Sequence, residues 1–155
     1  MEKPRKLTWG SLYTEVELYK SAVRLYTKPL FNPVKARSTS SDEKTLFDFA
    51  KRGLQNLHHI HRALSARTFS FRPGRAHHRN FNGKQRTLYI YPWEERLVSL
   101  LLYRTLNRKL DSQLSTSCYA YRWRGYGVDR CQQAIAQALR RIPKPLHVMK
   151  RDISN

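Results

Sequence analysis

Acidic residues are scarce in this chain and missing from its middle. Only 11 Asp and Glu stand against 30 Lys and Arg in 155 residues, for a formal net charge of +19. Between Asp48 and Glu94 there is no carboxylate at all. Such an excess repels itself and calls for a polyanionic partner. Cysteine is scarce too. Cys118 and Cys131 fall at no CxxC spacing, and they read as reduced thiols rather than zinc ligands or a redox pair. No apolar stretch approaches the roughly 20 residues of a membrane-spanning helix. The basic start, Met1 to Lys6, is not followed by an apolar run of signal length. The expectation is a cytoplasmic chain with no membrane association. It is not a disordered basic tail, because hydrophobic residues make up 40% and aromatics 12%, enough for a core. The length suits one domain, or one part of a larger one.

The apolar pattern predicts helices near 9–26, 42–66, 93–110 and 128–142. The first presents Leu12, Val16, Tyr19, Val23 and Tyr26 at helical spacing. Ser40 or Ser41 is the expected cap of the second, with Asp42 and Glu43 in its first turn and a stripe of Leu46, Phe49, Ala50, Leu54, Leu57, His61 and Leu64. Pro92 opens the third, with Glu94 and Glu95 in its first turn. The fourth turns Cys131, Ile135, Ala138 and Leu139 inward. A short apolar strand is predicted at Leu146-His147-Val148-Met149.

Within the carboxylate-free middle, Asn82-Gly83 marks a tight turn between two extended runs. The segment Thr87-Leu88-Tyr89-Ile90-Tyr91 alternates, with Leu88 and Ile90 on one face and Tyr89 and Tyr91 on the other. A β-hairpin with a cationic tip results, suited to a triphosphate or a nucleic-acid backbone. Surface cations on a solvated hairpin are the plainer alternative.

Five segments in order carry a family likeness: Phe69-x-Phe71-x-Pro73; Asn82-Gly83-Lys84-x-Arg86-x-Leu88-x-Ile90; Glu95-Arg96-Leu97-Val98; Ser117-x-Tyr119-x-Tyr121-Arg122 with glycines after it; and a strand ending in Asp152-Ile153. In this order the chain from Phe69 to Asn155 resembles the N-terminal part of a reverse transcriptase of the bacterial branch, group II intron or retron-like. The resemblance implies an α+β fold: mostly helical fingers with a β-hairpin and the first strand of a palm sheet. It divides the chain into an N-terminal helical extension at 1–68, fingers at 69–145 and the start of a palm at 146–155.

The resemblance also implies roles. Arg86 corresponds to the family's triphosphate-binding arginine, and Arg79, on the opposite strand, is the candidate second cation. Lys84 is the third, though in relatives a tip lysine can touch template instead. An arginine fork donates paired hydrogen bonds to phosphate oxygens. Arg72, Arg75, Tyr121, Arg122 and Arg124 are the candidate nucleic-acid contacts. Tyr119 and Tyr121 could equally be core residues with Arg122 and Arg124 facing out, and Trp123 stands where many relatives have proline. Asp152, the only carboxylate after Asp129, becomes the first catalytic and metal-binding carboxylate, with the Ile153 carbonyl as a further ligand in a two-Mg²⁺ site. Its plainer alternative is an ion pair with Arg151 or another basic neighbour. His58, His59, His61, His77 and His78 invite a separate metal site, but no cysteine or carboxylate falls beside them at zinc spacing.

Before Asn155 there is neither the paired-aspartate segment of these enzymes nor a thumb. These 155 residues alone are therefore expected to bind template and primer RNA and dNTP without polymerising. Two functions stand: the template- and dNTP-binding part of an RNA-directed DNA polymerase, completed by the remainder of palm and thumb, or a non-catalytic basic RNA-binding protein, including a truncated relic of such an enzyme.

Overall fold

The computed structural model describes residues 10, 13–30, 38–120, 122, 125–143 and 149, with the side chains of 28–30 excepted. In chain order the elements are α1 (Glu15–Leu30), α2 (Leu46–Lys51), α3 (Gly53–Ser65), β1 (Arg75–Phe81), β2 (Lys84–Ile90), α4 (Trp93–Leu110), a 3-10 turn (Asp111–Gln113) and α5 (Val128–Arg141). The fold is α+β, and among the described residues it is helical with one two-stranded antiparallel sheet. The expected strand at 146–149 lies, but for Met149, outside the described residues. No helix among the described residues is long and apolar enough to cross a membrane.

Packing divides the chain into two compact units, up to Arg108 and from Lys109 on. The first unit has a core of Leu18 and Ala22 from α1, Leu46 and Phe49 from α2, Ile60 and Leu64 from α3, and Trp93, Leu97, Val98 and Leu101 from α4. Full burial of a large apolar side chain is worth about 1.5–3 kcal/mol, so these residues hold the helices together. The core draws on both sides of residue 68, so the residues before and after it share one packed interior. Two of the polar groups buried in it find main-chain partners. The Trp93 indole N–H donates to the Lys44 carbonyl at 2.9 Å, and the Ser21 hydroxyl donates to the Glu17 carbonyl at 2.8 Å.

Four local expectations change. α1 buries Leu18, Ser21 and Ala22, whereas Val16, Tyr19 and Val23 are exposed. Small residues at 21 and 22 let a neighbouring helix approach closely, and that outweighs the larger apolar stripe. The second predicted helix is two helices, broken at Arg52, with Asn56 Nδ2 bridging the break to the Phe49 carbonyl at 2.8 Å. Its cap is neither Ser40 nor Ser41. Thr45 caps α2 in a reciprocal box with Asp48, while Ser40 is buried in the preceding loop between the Asp42 carboxylate and the Lys44 carbonyl. Leu54 and Ala50 of the expected stripe face solvent.

α4 spans the expected residues, with Glu94 and Glu95 in its first turn. In the second unit α5 also forms where expected, but Ile135 and Leu139 are exposed, as is Ala138, and the helix has no buried residue. Its amphipathic sequence is satisfied as a helix without its apolar stripe being covered.

Candidate functional site

The hairpin is built by its turn. Asn82 (φ 51°) and Gly83 (φ 81°) both take positive φ, the two-residue geometry that matches strand twist. That turn fixes the register: Phe81 opposite Lys84, Arg79 opposite Arg86, His77 opposite Leu88 and Arg75 opposite Ile90. Because side chains alternate, the same register sorts them. Arg75, His77, Arg79, Phe81, Lys84, Arg86, Leu88 and Ile90 share one face. Ala76, His78, Asn80, Gln85, Thr87 and Tyr89 share the other, where His78 Nδ1 meets Thr87 Oγ1 at 3.1 Å. Every arginine and lysine of the two strands thus falls on a single face. Apart from half-buried Ile90 no strand residue is covered, and Phe81, Leu88 and Tyr89 are exposed.

Arg79 and Arg86 form a directly opposed pair, with Cβ atoms about 4.5–5.5 Å apart in such a position. Like charges placed so destabilise the sheet. Arg79 Nε donates to Nε2 of His77 at 3.4 Å along the same face. Among the described residues no carboxylate lies within ion-pair distance of Arg79, Lys84 or Arg86. The root of the hairpin differs. Arg75 approaches Glu43 at 4.0 Å, and Arg72 is bound to α4. Carboxylates neutralise the root and leave the outer half cationic.

The root is rigid. Arg72 Nε donates to Glu95 Oε1 at 2.7 Å, and its Nη2 donates to Glu95 Oε2 at 3.1 Å and Glu94 Oε2 at 3.0 Å. Glu95 is 2% exposed and also accepts the Arg72 backbone N–H at 3.3 Å. Glu95, with Glu94, holds the Arg72 guanidinium above its ordinary value. The pair joins the chain before β1 to the helix after β2. Gly74 completes the clamp, since a Cβ there would meet the Tyr91 ring at 3.0 Å. Arg72, expected at nucleic acid, is therefore the hairpin's internal anchor.

In the second unit Arg122, a candidate nucleic-acid contact, has a side chain that is 5% exposed. Nε and Nη2 donate to the two Asp111 carboxylate oxygens at 2.9 and 3.2 Å, and Nη1 and Nη2 donate to the Ser115 and Asp111 carbonyls, both at 2.9 Å. The guanidinium also lies 3.7 Å from the Tyr126 ring centroid, and Tyr126 packs on Tyr119. Arg122 closes the loop on itself because a carboxylate, a carbonyl pair and an aromatic face saturate it. Tyr121 and Arg124 lie outside the described residues, as do Asp152 and Ile153.

This staple sets a pH response. The Arg122 hydrogen bonds hold the Asp111 carboxyl below its ordinary value of 3.8. A carboxyl with a lowered pKa contributes stability that is complete above the unfolded value and lost as pH falls through the folded one. The Tyr119 and Tyr126 ring resonances should stay unchanged from neutral pH to about 4.5 and shift only below roughly pH 4. NMR titration checks this. A transition between pH 5 and 7 would assign loop integrity to another group.

The histidines separate. On α3, His61 Nδ1 and His58 Nδ1 approach Glu15 Oε1 of α1 at 3.4 and 3.9 Å. His59 is exposed, and His77 and His78 take opposite hairpin faces. Among the described residues no group of three or more His, Cys, Asp or Glu could hold a metal ion. Sequence reasoning missed the Glu95 and Asp111 partners because each is reached only by folding a loop or hairpin back, 23 and 11 residues from its arginine, with no spacing to signal it. No family model matches this chain, and no curated protein matches it.

Proposed function

We propose that this chain is the fingers and first palm strand of an RNA-directed DNA polymerase, the part that grips the incoming dNTP and the RNA template and primer. The observation that carries the reading is the opposed Arg79–Arg86 pair. Two guanidinium groups held together on a rigid, carboxylate-free face weaken the sheet they sit in. A triphosphate bound between them turns that repulsion into attraction, and forked donors match its oxygens. Lys84 beside the turn adds a point charge for the triphosphate or the template strand. Asp152 and the Ile153 carbonyl are the proposed ligands of the Mg²⁺ pair, which other carboxylates outside these residues complete. Bound Mg²⁺ would supply charge neutralisation and activation of the attacking oxygen. The described residues supply the cationic grip.

The test is Arg86→Ala in an enzyme that joins this chain to the remaining catalytic carboxylates. Losing one charge-assisted phosphate contact costs about 1.5–3 kcal/mol, roughly a tenfold to hundredfold rise in the nucleotide Michaelis constant. Template–primer affinity should change far less. An unchanged nucleotide constant would return Arg86 to the solvated surface and favour a non-catalytic RNA binder.

A further inference from the structure

A second concentration of cations lies where α1 meets α4. Lys20, Arg24 and Thr27 succeed one another on one side of α1. Arg104 and Arg108 stand one turn apart on α4. Tyr19, Lys20, Val23, Arg24, Thr27 and Arg104 line an open pocket of ≈ 440 Å³. Arg104 is pinned at its wall, donating from Nη1 to the main-chain carbonyl of Lys20 at 3.0 Å. Arg108 is hydrogen-bonded to Glu17, which Lys20 approaches at 3.5 Å. Burial raises the Glu17 carboxyl, but Arg108 and Lys20 outweigh it and hold the group below its ordinary value.

Arg104 feels the crowding most. Burial lowers its guanidinium below the ordinary value, and Arg24 and Arg108 press in the same direction against the pull of Glu17. A partly desolvated cation set beside two others is costly, and an anion in the pocket relieves the cost. Arg104 lies eleven residues along α4 from Trp93, where the hairpin joins that helix. The rise is about 16 Å, so the pocket is a separate surface from the hairpin root.

We infer that the α1–α4 pocket is a backbone-phosphate site for the nucleic acid whose end the hairpin serves. Lys20 and Arg24 reach the phosphate and Arg104 fixes the pocket wall, while the Thr27 hydroxyl donates to the Val23 carbonyl at 2.9 Å and only lines the pocket. The inference rests on the polymerase reading above only for the identity of the nucleic acid.

The test compares the chain with a Lys20→Gln/Arg24→Gln variant, which leaves the Arg104 bond to the Lys20 carbonyl in place. The probe is an RNA template annealed to a DNA primer, titrated across a salt series. Each duplex phosphate contact contributes about 0.9 to the slope of log affinity against log salt. The slope should fall by about one, with affinity about tenfold weaker at fixed salt. A Lys51→Gln/Arg62→Gln control removes equal charge elsewhere and should leave the slope unchanged. An equal loss in variant and control overturns the site, because only net charge would then matter. Vesicles containing phosphatidylserine are the counter-probe. If Lys20→Gln/Arg24→Gln weakens vesicle binding and spares RNA binding, the surface belongs to a membrane and the inference falls. The hairpin reading fails separately: an unchanged nucleotide constant in Arg86→Ala, beside a lowered slope here, sinks that reading and supports this site.

Discussion

Replacing both opposed arginines, Arg79→Ala with Arg86→Ala, should raise the nucleotide Michaelis constant of a complete polymerase by about a hundredfold or more. The two guanidinium groups sit directly across the sheet from each other, so they would grip one triphosphate together. Each loses its own charge-assisted contacts when truncated, about 1.5–3 kcal/mol apiece. Residues that share one ligand group do not act independently, so the double variant should fall short of the sum of the singles. Stability should move the other way. Like charges directly opposite each other destabilise a strand pair, so the doubly substituted chain should melt at an equal or slightly higher temperature. Steady-state kinetics on both singles and the double, with a melt of each, decide the matter. Equal losses of nucleotide and RNA affinity would make the hairpin a nucleic-acid surface alone.

Arg72→Ala should strongly destabilise the first unit. It strips the partner from a carboxylate that is 2% exposed. Breaking a buried pair from one side commonly costs about 3–5 kcal/mol. Arg72 is half exposed, so water recovers part of the loss, and about 2–3 kcal/mol is expected. A thermal melt should shift down by roughly 10–20 °C for a unit of this size. Arg72→Met with Glu95→Leu removes both charges and should recover most of that loss, because a pair replaced by apolar volume leaves no orphaned group. A melt unaltered by Arg72→Ala would mean that Glu95 finds water when its partner leaves.

What the sequence revealed follows from how local each signal is. Asn82-Gly83 dictates a turn type, the turn dictates a register, and the register places Arg79 across from Arg86. All of that sits within a dozen residues and was legible. So were the bounds of α4, written in Pro92, Glu94 and Glu95. The inward face of α1 was not. Val16, Tyr19 and Val23 form a good apolar stripe, but Ser21 and Ala22 win because helix contact depends on how close backbones come. The Thr45–Asp48 box was readable from its spacing, yet two earlier serines with acidic neighbours imitate the same signal. Arg72 and Arg122 illustrate the harder limit. An arginine bound for phosphate and one bound for a glutamate or aspartate of the same fold look alike in sequence, and only the folded path of the chain separates them.

One property of the hairpin reaches beyond its present chemistry. Apart from half-buried Ile90 its strands cover nothing, and its shape is set by the turn, by Gly74 and by the Arg72 anchor. Heritable change along either strand face can therefore alter what is gripped while the helical core keeps its free energy of folding. On the proposed reading, drift at these exposed positions can retune the ligand without the compensating core substitutions that a buried sheet would demand.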